Sequence, residues 1–465
     1  MEALHAEQLN EIPKCRMERD QTNAEHLELL RLIVQEPSIE VLRVKAQAIV
    51  ERGMALSKSS SAVIMPAPST QLVGGAAVQD QSLEAGALSG PAYNVWGFLI
   101  DNHDLSGTLG ALKLQNAGNQ GDLLRQWEVY LKQTRGNQNQ TSRGIISEFK
   151  AMVRSGVPNK FRKEVWSRMI EARVGAERKA CNAAKEVSYY HRQVASSQRP
   201  SVSTKQIELD LLRTCPSHRD FKNIASPKVA ALRRVLVAYS QHNPAIGYCQ
   251  GMNMIAATGL LFLDEEDAFW MMVAVIEQIL PEGYYSTEMI GSQVDQRVVR
   301  DLMSERAPKL SAHLEKHDVD TGLVTFSWML TIFIDTMPTG SMLRIWDVFL
   351  HEGSKIPFRA ALGVFLMHQA QILKADNRQD IYDLLRSIPS TLYDVDTLFE
   401  YAFHRLDGSR GFSMRGIEEK RARRRKEVEA EMIMLQQRRD EFNMTRHRTA
   451  TLNSIWIEDD DDDGA

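Results

Sequence analysis

The chain has 465 residues, 43% hydrophobic and 25% charged, which supplies enough apolar material for a sizeable core. Its formal net charge is −4, and the run Glu458 to Asp463 alone carries −6, leaving +2 for the rest. Such a near-neutral body lacks the basic face of a dedicated nucleic-acid binder, and four scattered cysteines (Cys15, Cys181, Cys215, Cys249) form neither a disulfide framework nor a paired zinc motif.

The cysteine usage fits a reduced, cytosolic compartment. Glu2, His5, Glu7 and Glu11 interrupt any signal-peptide core. No stretch reaches the ~18 to 20 apolar residues that span a bilayer. The expectation is a soluble, cytoplasmic chain whose membrane contact, if any, is peripheral.

Residues 1–57 read as a helical hairpin or coiled-coil segment. Thr22 and Glu25 make a capping box, and Leu27, Leu30 and Val34 follow at helical spacing. Pro37 breaks that helix, and a second, with Ile39, Leu42 and Ile49 on one face, runs to Gly53. Self-association through these helices is left open. Residues 58–93 are small, polar and Pro/Gly-punctuated, which predicts a flexible linker.

From 94 to 406 apolar residues recur three and four apart between short Gly, Pro, Asn or Ser breaks. Alternation of strand type is scarce. The prediction is one large all-α domain, because each amphipathic helix must bury its stripe against others. Met252–Leu263 and Phe269–Leu280 read as buried helices, with Phe269, Trp270, Met271 and Met272 in the core. Residues 407–465 read as a charged, solvated helix followed by a disordered acidic tail. The basic cluster Arg421, Arg423, Arg424, Arg425 and Lys426 in that helix could touch anionic lipid or an acidic partner.

Three short motifs occur in order within the helical region. They are Gly156-Val157-Pro158 with Arg162-x-x-x-Trp166, Ile207-x-x-Asp210-x-x-Arg213, and Gly247-Tyr248-Cys249-Gln250-Gly251. Each alone is weak; the second, for example, is also a helix with an ordinary i,i+3 ion pair. No G-x-x-x-x-G-K-[ST] occurs, so the chain carries no P-loop of its own. Cys249 reads as an inert cysteine, and Cys215-Pro-Ser-His218 is half a metal site without a second half.

Taken together, the three motifs resemble the TBC domain of Rab GTPase-activating proteins. The likeness continues through Trp328, Leu330, Thr331, Phe333, Pro338, Leu343-Arg344-Ile345-Trp346-Asp347 and Glu352-Gly353. It covers about 153 to 406, with its motif core at 153–375. Trp96-Gly97-Phe98 and Trp127-Glu128-x-Tyr130-Leu131 resemble the Armus-like subgroup, whose members usually carry an N-terminal PH domain. This sequence has no room for one, and the expectation is a shorter isoform, a fragment or a divergent relative.

The resemblance implies a partner, a GTP-bound Rab, that carries both nucleotide and magnesium, so that no cofactor is needed here. It implies an arginine finger at Arg213 and a glutamine finger at Gln250. A planar guanidinium offers developing phosphoryl charge a fork of donors, and an amide can orient the attacking water. Asp210 is expected to take a positioning role, holding one guanidinium edge or an arginine neighbour, and Arg162 and Trp166 to serve as interface or core anchors. Tyr248 and Gly251 complete the expected positioning or Rab-interface set. The implied role is at endosomal membranes. The rival reading is a catalytically silent domain used as a Rab-binding scaffold.

Overall fold

The computed structural model describes residues 93–99, 108–135, 143–183, 185–196, 201–407 and 412–458. All of them belong to the second of two units into which the chain divides, Ala92–Ala465. The predicted N-terminal hairpin, nearly all of the linker and the end of the acidic run lie outside the described residues.

Among the described residues the regular structure is helical, as expected. In chain order the helices are α1 Thr108–Thr134, α2 Arg143–Ser155, α3 Asn159–Asn182, α4 Tyr189–Ser196, α5 Val202–Leu211 and α6 Pro227–His242. Then come α7 Met252–Leu260, α8 Glu265–Val273, α9 Ile290–Arg306, α10 Pro308–Lys316 and α11 Thr321–Leu330. The last are α12 Thr339–Glu352, α13 Lys355–Met367, α14 Gln369–Ile372, α15 Arg378–Ser390, α16 Val395–Phe399 and α17 Met414–Glu458. Wider π-type turns continue α8 through Ala274–Ile279 and α16 through Glu400–Arg405. Among the described residues extended pairing is limited to two isolated antiparallel bridges, Tyr93 with Leu99 and Phe98 with His218.

Local chemistry starts these helices. Ser201 and Thr204 form a reciprocal capping box on α5. Ser226 caps α6, where Pro227 loses no helical hydrogen bond at the first position. Asp264 caps α8, and Glu265, Glu266 and Asp267 in its first turn favour the positive end of the helix dipole.

In the core α7 packs on α8 and α12 on α13, and α3 lies against both α8 and α12. Every residue of Met252–Leu260 is buried, and so are Phe269, Trp270, Met271 and Met272. The predicted buried helices and aromatic core are therefore present. Trp166, Trp346 and Phe349 extend this core through ring contacts, with the Trp166 and Trp346 centroids 6.2 Å apart.

The C-terminal helix departs from the solvated reading. Its first half packs along α9 through ion pairs. Arg421 is buried and bidentate on Asp295, at 2.7 and 2.8 Å. Arg423 and Arg424 share Asp301, and Arg297 reaches Glu431. Arg425 donates to the Glu282 carbonyl. Four members of the expected basic cluster thus have partners within the protein, three of them because Asp295 and Asp301 on α9 meet Arg421, Arg423 and Arg424. Arg423 and Lys426 of the cluster remain exposed.

Candidate functional site

The second and third motifs end on two loops that the fold brings together. Ile207, Asp210 and Leu211 face the core, so α5 is anchored by its inner side. At its C-terminus the helix tightens into a turn, with the Arg213 N–H donating to the Asp210 carbonyl at 3.1 Å. That turn carries Arg213 out to solvent. Among the described residues nothing accepts a hydrogen bond from its guanidinium.

The other loop enters α7. Gly247 and Gly251 both adopt positive φ, 63° and 100°, a backbone that a side chain would strain. Gly251 is the residue before α7, and Gln250 sits exposed at the tip of the turn. The glycines are needed for their own backbone shape, a more local reason than close approach to a partner.

A chain of hydrogen bonds ties the two turns. The Tyr248 hydroxyl donates to the Asp210 carboxylate at 2.7 Å. Burial, reinforced by that carboxylate, pushes the Tyr248 hydroxyl far above its ordinary range, so it stays protonated and can donate to Asp210. The Asp210 carbonyl accepts from the Thr214 hydroxyl at 2.7 Å, and Thr214 accepts from the Asn253 amide at 2.8 Å. Asn253 in turn accepts from the Gly251 N–H at 3.1 Å. Asp210, Thr214 and Asn253 are all buried. A buried and fully bonded polar network fixes geometry more firmly than exposed contacts do.

Asp210 therefore holds the opposite loop through Tyr248, and among the described residues it forms no ion pair with Arg213. The contact seen for this expected positioning residue is to Tyr248 on the opposite loop rather than to the Arg213 guanidinium. The Asp210 carboxylate points into the core, while the chain turns Arg213 the other way. Thr214 and Asn253 lay outside the recognised motif positions, and only their polarity within apolar surroundings could have signalled them.

Arg162 and Trp166 lie in the core, not at a surface. Arg162 is 4% exposed and grips Asp347 with two bonds, at 3.0 and 3.1 Å. It also donates to the Val157 carbonyl and to Asn159, and stacks over Phe262. The Trp166 indole donates to the same Asp347 at 2.8 Å. Of the two roles expected for this pair, interface or core anchor, the structure places both residues in the core.

Other chemistry finds little support. Burial pushes the Cys249 thiol up to about 11, which disfavours a thiolate nucleophile. His218 has both ring nitrogens within hydrogen-bond distance of backbone groups, Trp96 O and Asp220 N, so the half metal site near Cys215 lacks a free imidazole. Glu177, His242 and Glu277 bring ligand-type atoms within 4.8 Å of one another. There, however, Glu277 already accepts from Tyr239 and Asn243, and His242 from or toward Tyr189.

Comparison with known proteins gives a consistent picture. Residues 159–373 match the model of the Rab-GTPase-TBC domain. The chain is 36% identical over 337 residues to TBC1 domain family member 2B of Xenopus tropicalis, which covers 72% of this chain and 35% of that protein. It is 40% identical over 298 residues to TBC1 domain family member 2A of Homo sapiens, covering 64% of this chain and 31% of that one. The chain thus spans about a third of the length of these curated relatives. Among solved structures, the Chlamydomonas flagellar RabGAP TBC domain superposes with a TM-score of 0.56 at 29% identity, over 67% of this chain and 99% of that one.

Proposed function

This chain belongs, through residues 159–373, to the Rab-GTPase-TBC domain family, and from that premise we propose that it accelerates GTP hydrolysis on a Rab by supplying Arg213 and Gln250 in trans. The observation that carries the reading is the pair of exposed side chains on two turns joined by one buried network. A catalytic group gains most when its position is fixed before the reaction.

In this reading Arg213 meets the charge that builds on the phosphoryl oxygens and the β–γ bridge. An arginine finger supplied in trans is worth ~10³ to 10⁵ in rate. Gln250 accepts a hydrogen bond from the attacking water and donates to a phosphate oxygen. Nucleotide and magnesium belong to the Rab. Once the γ-phosphate is gone, the Rab switch segments are released and effector binding ends. The likeness of Trp96-Gly97-Phe98 and Trp127-Glu128-x-Tyr130-Leu131 to the Armus-like subgroup supports an endosomal Rab as partner, met at the membrane periphery.

Single-turnover GTP hydrolysis across a panel of purified Rabs tests this. Wild type should accelerate one or a few Rabs, and Arg213→Ala and Gln250→Ala should each lose ~10² or more of that acceleration. Binding to a GTP-loaded Rab without acceleration would instead favour the silent scaffold.

A further inference from the structure

The loop that follows Arg213 is held from outside the 159–373 domain, by residues 93–99. Asn94 first folds that segment on itself, its side chain accepting from the Trp96 and Phe98 N–H groups at 3.0 Å each. The folded segment then pairs with the loop. Leu99 N–H donates to the Ser217 carbonyl and Arg219 N–H to the Gly97 carbonyl, both at 2.9 Å. These bonds frame the Phe98–His218 bridge.

His218, five residues after Arg213, is the keystone. It is buried, and Phe98 meets its ring edge-on at 4.8 Å. Its Nδ1 accepts from the Asp220 N–H at 3.1 Å, which leaves Nε2 to donate to the Trp96 carbonyl at 2.8 Å. Only one neutral tautomer satisfies both bonds. Gly97 has φ 91°, and a Cβ there would lie 2.7 Å from His218 Nε2, so only glycine lets the strap approach so closely.

The strap is itself anchored to the domain. The Trp96 indole donates to Asn159 at 2.9 Å, at the first residue of α3, and its ring lies against Gly340 at the start of α12. Lys222 donates to the Tyr93 hydroxyl at 2.9 Å. The turn bearing Arg213 is thus fixed on one side by the Asp210–Thr214–Asn253 network and on the other by this strap.

We infer that residues 93–99 are part of the catalytic apparatus, with Gly97 and His218 acting as positioning residues that hold the arginine loop at the geometry Arg213 needs. The inference rests on the reading of Arg213 as a finger.

The test uses the full chain with His218→Ala, Gly97→Val and His218→Gln, the last keeping a donor for the Trp96 carbonyl. His218→Ala and Gly97→Val should lower kcat for Rab-bound GTP hydrolysis by about ten- to a hundred-fold with KM little changed, and His218→Gln should recover much of it. Each loss should vanish in an Arg213→Ala background, because a misplaced finger and a missing one are equivalent. Hydrogen exchange should quicken at the Leu99 and Arg219 amides while the α7 and α8 amides stay protected. If His218→Ala unfolds the domain, Trp96→Phe replaces it, removing the bond to Asn159 and part of the ring contact at Gly340, with a smaller loss that also vanishes without Arg213.

Strap variants with full activity, or with the same fold loss when Arg213 is absent, would overturn the inference while leaving the finger reading intact. A wild-type chain silent on every Rab would overturn that reading and the catalytic half of the inference with it. Exchange at 213–221 would still decide whether the strap holds the loop, and unchanged rates in His218→Ala would overturn that half too.

Discussion

The residues of the recognised motifs divide between two regions that use polar groups in opposite ways. On the α5–α7 side, Arg213 and Gln250 stand exposed on turns, and the buried polar groups beneath them hold backbone in place. On the α3–α12 side, Arg162, Trp166, Asp347 and Glu352 are buried and bind one another or their neighbours across the core. The same kind of residue, a motif arginine, is an exposed tip in one region and a buried structural bolt on an aspartate in the other. Burial and partners separate the two roles where residue identity does not.

The sharpest way to break this contrast is to change one residue at each end, keeping the charge and altering only the shape at Arg213. Arg213→Lys should forfeit most of the ~10³ to 10⁵ acceleration, because an ammonium is a point charge without the fork. Its melting temperature should stay at the wild-type value, since nothing described depends on the Arg213 side chain. A lysine variant with near-wild-type hydrolysis on the cognate Rab would erase the distinction.

Asp347→Ala should do the reverse. It strands the buried Arg162 and leaves the Trp166 indole without its acceptor, so a loss of about 3 to 5 kcal/mol of stability in urea titration is expected. The hydrolysis rate per folded molecule should hold. Glu352 tests the same region by pH. Burial alone would raise its carboxyl, but the Arg154 and Lys355 bonds outweigh that and hold it down at about 2. A depressed carboxyl stabilises the fold above its unfolded value near 4.5, and the benefit fades as pH falls toward 2. The stake is about 3 kcal/mol. Glu352→Gln should therefore be less stable at pH 7 and lose less between pH 5 and pH 3 than wild type does.

Much of this is legible in the sequence. Helical spacing and the scarcity of strand alternation point to the all-α class, and the apolar runs at Met252 and Phe269 mark the innermost helices. Partners distant in sequence were not legible. Arg162 and Asp347 lie 185 residues apart, so nothing local tells a core arginine from an interface one. The basic run after Ile417 looks like a solvated face because its acidic partners, Asp295 and Asp301, sit on another helix. Asp210 looks like a clamp for its neighbour Arg213, whereas the tertiary fold gives it Tyr248 instead. Trp96-Gly97-Phe98 was visible only as a family hint, because its bond to His218 spans more than a hundred residues.

Tyr248→Phe probes the seam between the two regions, a buried bond that serves an exposed tip. It removes one hydroxyl and keeps the ring, so packing is preserved and the Asp210 carboxylate loses its donor. A bond to a charged acceptor contributes about 1.5 to 3 kcal/mol. Tyr248 is part-buried, so relaxation and water should keep the stability loss at the low end of that range. Hydrolysis should fall further than stability does, because the Gln250 turn loses its tie to the arginine turn while the Thr214–Asn253–Gly251 chain remains. The discriminating comparison is with Asp210→Asn, which retains an acceptor for the Tyr248 hydroxyl. If that variant keeps its hydrolysis rate while Tyr248→Phe does not, the bond itself, and not the aspartate's charge, positions the two fingers. Equal losses would mean that the carboxylate charge contributes to the site directly.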